Sequence, residues 1–151
     1  MPVSMSNSIY IERSPQDVFD YVTQPWLWHQ WHPNSKSAQS NVEILQLHDE
    51  FDEVIELQPL KPLPPIITRH THYRVMESQV GERWAVRGEA NNGWLEIRYR
   101  FTQEGSGCYF VRDLSFDTTG LLRMFMPFLC KQMIHVSELA LGNLKRKLES
   151  H

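Results

Sequence analysis

Arg112, Tyr73, Tyr99, His70 and His72 are the side chains of this 151-residue chain whose types and spacing best suit chemistry on a small molecule. Arg112 falls in phase with Cys108, Phe110, Leu114 and Phe116, so if that face is inward its guanidinium enters the interior, where an arginine must be paired. It then either holds a ligand carboxylate or enolate, or bridges to an acid of a neighbouring strand such as Glu56 or Glu89. Tyr73 and Tyr99 offer phenolic protons that can polarise a carbonyl, although tyrosine also serves strands as a plain packing residue. His70 and His72 are two apart and share one face of a presumed strand, turned either to solvent or into a pocket. No third ligand accompanies them, and a zinc site needs at least three, so no metal is expected. Nor is a cofactor: the chain carries no nucleophile elbow, no phosphate-binding loop, no dinucleotide fingerprint and no His-Glu-x-x-His helix.

A second group is apolar. Trp28, Trp31, Phe51, Trp84, Tyr99, Phe116, Met124, Phe125 and Phe128 suit the wall of a pocket for an aromatic or lipid-like molecule and equally suit an ordinary core. His29 and His32 flank Trp31 and read as braces for that aromatic segment. Cys108 and Cys130 form no Cys-x-x-Cys pair and read as buried, inert thiols of a reducing compartment.

The elements that must position these groups are legible in the patterning. Ser8 to Glu12 alternates as a strand, and Ser14-Pro15-Gln16-Asp17 supplies an N-cap, a first-turn proline and a first-turn acid. Val18, Phe19 and Val22 continue a short helix, and Pro25 to Pro33, with three tryptophans, reads as a second. Strands are expected over Val42–Leu47, Glu53–Gln58, Thr68–Glu77, Arg83–Glu89, Trp94–Gln103 and Tyr109–Phe116, with short links that make neighbours antiparallel. Leu122, Phe125, Leu129, Met133, Val136, Ala140, Leu144 and Leu148 recur at helical spacing, which predicts one long amphipathic helix over Leu121–Glu149. Pro127 either marks its true first turn or kinks it.

Composition bounds the rest. At 41% hydrophobic and 22% charged residues the chain is a globular protein of one domain, 1–151. A net charge of −3 gives no cationic field, so nucleic acid is not an expected partner. Leu121–Cys130, the longest apolar stretch, is interrupted by Arg123 and Pro127 and falls far short of the roughly 20 residues of a bilayer span, so no stable membrane insertion is expected. The first residues have neither a basic start nor an apolar stretch, which points to the cytoplasm.

Strand, two short helices, six further strands and a long closing helix, together with Ile9-Tyr10-Ile11-Glu12-Arg13-Ser14-Pro15-Gln16-Asp17-Val18-Phe19-Asp20-Tyr21-Val22, Trp28 to Pro33 and Asn143-Leu144-Lys145-Arg146-Lys147-Leu148-Glu149, resemble the START-like superfamily across the full chain. That superfamily, also called SRPBCC, includes polyketide cyclase/dehydrase and lipid-transport proteins. The resemblance implies an α+β helix-grip fold, a curved seven-stranded antiparallel sheet wrapped around the C-terminal helix with two short helices after the first strand. The connection Pro59 to Pro65 is longer and richer in proline than the pattern.

A curved sheet gripping one helix leaves a gap unless large side chains fill it, so a cavity of roughly 300 to 1,000 Å³ is expected. Trp31, His72, Tyr99, Arg112, Phe116, Phe125 and Phe128 are its expected ligand-facing residues. The expected partner is a hydrophobic or aromatic small molecule, bound by a monomer or homodimer. Simple carriage stands beside a cyclase/dehydrase-like reaction in which polar pocket residues assist enolisation and loss of water.

Overall fold

The computed structural model describes residues 2–150; Met1 and His151, the ends of the expected domain, lie outside the described residues. Strand β1 (Val3–Ile11) runs into helix α1 (Pro15–Val22) and a short 3-10 helix (Pro25–Gln30). Strands β2 (Ser35–Gln39), β3 (Glu50–Leu57), β4 (Ile67–Gln79), β5 (Arg83–Ala90), β6 (Gly93–Glu104) and β7 (Gly107–Thr118) follow, then α2 (Gly120–Met124) and α3 (Met126–Glu149).

All seven strands form one antiparallel sheet in the order β1-β7-β6-β5-β4-β3-β2. Because β1 and β2 close opposite edges, the segment joining them must cross the open side of the sheet, and it does so as α1 and the 3-10 helix. Ser14 accepts the Asp17 N–H at 3.1 Å and Pro15 stands in the first turn, so α1 starts where the capping chemistry places it. The Trp28 indole donates to the Val22 carbonyl at 2.7 Å, which fixes the aromatic turn to the end of α1.

Alternation along β6 buries Leu95, Ile97, Tyr99 and Phe101 and turns Arg98 and Arg100 to solvent. Stacked and edge-on rings fill much of the sheet's concave face. Phe51 stacks on Tyr73 with centroids 4.8 Å apart, Trp84 on Tyr99 at 5.3 Å, and Trp28 meets Phe51 edge-on at 5.6 Å.

Two sequence expectations need correction. Val42–Leu47 is not a strand; it is an irregular segment in which Ile44 and Leu47 are exposed and only Leu45 is buried. The second strand is Ser35–Gln39 instead, a short polar edge strand whose single neighbour and largely wet faces leave almost no hydrophobic alternation to read. The closing helix is also divided. Phe125 (φ −102°, ψ 16°) separates α2 from α3, and Pro127 occupies the first turn of α3, the first of the two roles expected for it.

Candidate functional site

A polar cluster lies inside the sheet beneath α3, built by side chains that period two turns inward. On β3, Phe51, Glu53, Ile55 and Leu57 share the buried face. On β4 that face carries Arg69, Thr71 and Tyr73, and on β7 it carries Phe110, Arg112 and Leu114. Tyr99 of β6 pairs in register with Arg112. Gly88 on β5 makes room for Tyr73, because a Cβ there would come within 2.7 Å of the phenol ring.

Glu53 is the centre of the cluster. Its carboxylate accepts the Ser35 hydroxyl at 2.7 Å and the Tyr73 hydroxyl at 3.3 Å. Burial pushes its pKa up to about 7, against the opposing pull of those hydrogen bonds and of Arg112 and Arg69. Arg112 donates to the Ser137 hydroxyl of α3 at 3.3 Å, and its Nε has no partner among the described residues. Burial raises the Tyr99 phenol well above its ordinary value, with Arg112 opposing. Arg69 donates to the Trp94 carbonyl at 3.1 Å. His32 Nδ1 accepts the Asn34 N–H at 3.2 Å, while burial and then the Arg112 charge depress its pKa to about 3. The imidazole is therefore neutral, with its proton on Nε2.

A cavity of about 40 Å³ is lined by Trp31, His32, Glu53, Tyr73, Tyr99 and Arg112 together with apolar neighbours that include Ile55 and Met133. The expected hollow of several hundred Å³ is therefore not enclosed here, since the stacked aromatic rings occupy that space. A larger groove of about 470 Å³ opens outside, between the β3 end, the connection to β4 and the outer side of α3. Asn34 lines both spaces, so cavity and groove stand back to back across this residue. On the α3 side, Met133 faces the cavity while its neighbour Gln132 faces the groove.

Of the expected ligand-facing residues, the cavity brings together Trp31, Tyr99 and Arg112. The Trp31 indole N–H is buried without a partner among the described residues. Phe116 is wholly buried on the Arg112 face of β7 but is not part of the cavity wall. Phe125 is half-buried at the α2–α3 junction, and Phe128 is 56% exposed on the outer side of α3. His72 does not project inward: it stands on the outer face of β4, with Asp52 at 2.8 Å on Nδ1 and Glu50 at 2.8 Å on Nε2. Those carboxylates raise the pKa of His72.

The acids proposed to pair with Arg112 also point outward. Glu56 meets Lys36 at 3.6 Å and Glu89 meets Arg87 at 3.3 Å. The acid that faces Arg112 is Glu53, which sequence reasoning missed because the third strand was begun at that residue. Begun at Phe51, the alternation Phe51, Glu53, Ile55, Leu57 places a carboxylate among buried apolar residues. Arg69 was missed although the expected strand Thr68–Glu77 already put it in phase with Tyr73 and Val75, because a charged residue reads as belonging to the wet face.

A curled antiparallel sheet around a long C-terminal helix is the helix-grip fold of START-like proteins. The chain belongs to the polyketide cyclase/dehydrase and lipid transport family, which matches it over residues 2–149. Similar solved structures show the same fold. A protein from Thermus thermophilus has a TM-score of 0.74 at 14% identity, covering 98% of each chain. A START superfamily protein from Mycobacterium smegmatis reaches 0.72 at 12% identity, over 96% of this chain and 98% of that one. The Zhui aromatase/cyclase from Streptomyces sp. R1128 reaches 0.68 at 10% identity, over 98% and 96%. No curated protein sequence matches the chain. No described helix is long and apolar enough to cross a membrane.

Proposed function

We propose that the protein binds an apolar or aromatic small molecule that carries an oxygen function, with the oxygen held at the Arg112 cavity and the apolar body lying toward the groove beyond Asn34. One observation carries this reading: Glu53 and Arg112 are buried in the wall of one small cavity, and the Arg112 Nε–H and the Nε1–H of Trp31, another wall residue, have no partner among the described residues. A core built for stability alone has no use for such groups, because each buried ion or unmet donor costs on the order of 1 to several kcal/mol. A bound oxygen recovers part of that cost. The Arg112 guanidinium, the Trp31 indole and the Tyr99 phenol bring donors to the cavity wall, so the matching ligand group is a carbonyl, enolate or carboxylate.

At about 40 Å³ the cavity admits a group the size of one water molecule, so a larger ligand enters by displacing Asn34 and Met133. The flexible thioether of Met133 suits that movement. Burying about 200 Å² of ligand surface along this path supplies roughly 5 kcal/mol before entropic losses, so the roughly 8 kcal/mol net of micromolar binding also requires several oriented polar contacts at the cavity. Crystals grown after exposure to naringenin and to palmitic acid test the reading directly. Density joining the Arg112 cavity to the groove supports it; saturating ligand with density elsewhere on the surface refutes it.

A second reading, proton transfer, is favoured by Glu53. A carboxyl with a pKa of about 7, next to an arginine able to stabilise an enolate, is suited to removing a proton α to a carbonyl near neutral pH. Incubation with 1-phenyl-1,3-butanedione in deuterium oxide checks this. Exchange of the α-protons faster than in buffer, abolished in Glu53→Gln, supports catalysis, and exchange at the buffer rate leaves binding as the activity.

A further inference from the structure

We propose that the end of the molecule formed by the β3–β4 connection and the α2–α3 junction docks reversibly on anionic lipid surfaces. Two segments make up this end, 58–66 and 119–137. Neither contains a single Asp or Glu, although the chain has 18 of them. They carry Lys61, Arg123 and Lys131, a local charge of +3 in a protein of net −3, which leaves −6 on the remainder. The overall charge therefore conceals a polarised molecule.

The same segments expose large apolar side chains. Leu63 and Ile66 are 64% and 61% exposed, and Leu121, Met124 and Phe128 are 54%, 75% and 56% exposed. Ile66 of the connection and Leu139 of α3 share the walls of the outer groove. Phe128, Gln132, His135 and Leu139 follow at intervals of four, three and four residues, so Phe128 continues the groove-facing stripe of α3 by one turn toward α2. Strand register brings the two segments to one end of the sheet: Leu57 pairs with Ile67 at the connection, and Thr118 pairs with Gly93 just before α2. Of the carboxylates that border this end, Glu56 is met by Lys36 at 3.6 Å and Asp117 by Arg123 at 3.7 Å, while Glu138 stands exposed on α3 one residue beyond the second segment.

Exposed phenylalanine, methionine, leucine and isoleucine set among cations, with acids confined to the border of the two segments, match the interface of an anionic bilayer, where apolar tips enter the acyl boundary and cations meet the headgroups. An acid-bearing surface would be repelled by the same lipids. Docking of this kind is peripheral and needs no spanning helix, and it stands independently of what the Arg112 cavity binds.

Sedimentation with vesicles of phosphatidylcholine containing about one third phosphatidylglycerol, and with vesicles of phosphatidylcholine alone, tests the proposal. The protein is expected to partition onto the anionic vesicles at low salt and to be released at high salt. Met124→Asp/Phe128→Asp should weaken partitioning about tenfold or more, and Lys61→Glu and Lys131→Glu about fivefold or more each. Ile66→Glu, in a different segment, should weaken it in the same direction. All of these positions are exposed, so melting temperatures should hold. Absence of partitioning, equal partitioning onto both vesicle types, or unchanged partitioning of the Met124→Asp/Phe128→Asp protein overturns the proposal. So does a micromolar dimer in sedimentation velocity that this variant abolishes, which would assign the face to a second copy of the chain.

Discussion

The two halves of α3 are built to different ends. From Ala140 onward the helix is anchored: Ala140, Leu141 and Leu144 are buried, Lys145 donates to the Tyr10 carbonyl at 2.7 Å, and Asn143 donates to the Trp31 carbonyl at 3.1 Å. Glu149 closes the contact by accepting the Glu12 N–H at 2.9 Å. Up to Leu139 the same helix leaves Phe128, Ile134 and Leu139 exposed, and of its inward residues Leu129 is fully buried while Met133 and Ser137 meet a polar cavity and a buried arginine. One half is held by shape and saturated hydrogen bonds. The other is held by the fully buried Leu129 and the Met133 thioether, and the polar bond the sheet sends it is the 3.3 Å one from Arg112 to Ser137, so it is the half expected to yield first.

Substitutions can break or sharpen this contrast. The largest effect is expected at the anchored half: Leu144→Ala should cost about 2 to 5 kcal/mol in chemical denaturation, and Met133→Ala, beside an existing gap, should cost less. A loss at Met133 equal to that at Leu144 would erase the distinction. Glu53 should follow. Its folded pKa of about 7 lies above the ordinary 4.5, so below pH 4.5 both states hold the proton and nothing is lost. As pH rises from there to about 7 the unfolded chain releases its proton first, and stability should fall by on the order of 3 kcal/mol. His32 acts in the opposite direction: its folded pKa of about 3 lies below the ordinary 6.5, so stability is lost as pH falls through that window. The two windows oppose each other between pH 4.5 and 6.5, so the stability of the unaltered protein should be nearly flat there, whereas that of Glu53→Gln, which keeps only the His32 contribution, should rise with pH over the same range in denaturation curves.

Lys145→Met should cost about 1 kcal/mol by removing the bond to the Tyr10 carbonyl, read as a lowered denaturation midpoint. Phe128→Ser should change stability by less than about 0.5 kcal/mol, because the ring is mostly exposed. A loss several times larger would mean that the yielding half is structural after all.

What could be read from the residues beforehand divides along the same line. Elements with a strong period were legible: α1 with its Ser14 cap, the alternation of β6, and the apolar stripe of α3. β2 was not, because an edge strand of Ser35-Lys36-Ser37-Ala38-Gln39 buries too little to impose a pattern. Trp31, Tyr99 and Arg112, which the cavity brings together, could be singled out because each follows a clear phase or an unusual cluster. His72 misled because strand phase on β4 is ambiguous when polar residues occupy both faces, and only pairing with Glu50 and Asp52 across β3 settles it. Glu53 and Arg69 escaped because charged residues are ordinarily a signature of the wet face, and here the interior cavity inverts that rule.

Calorimetric titration of the protein and of Arg112→Met with naringenin is the most direct test of the central claim, that the buried guanidinium exists to hold a ligand oxygen. The account predicts micromolar binding by the unaltered protein and a loss of at least about tenfold in the variant, with the fold retained by circular dichroism. Equal affinity in the two proteins would contradict it.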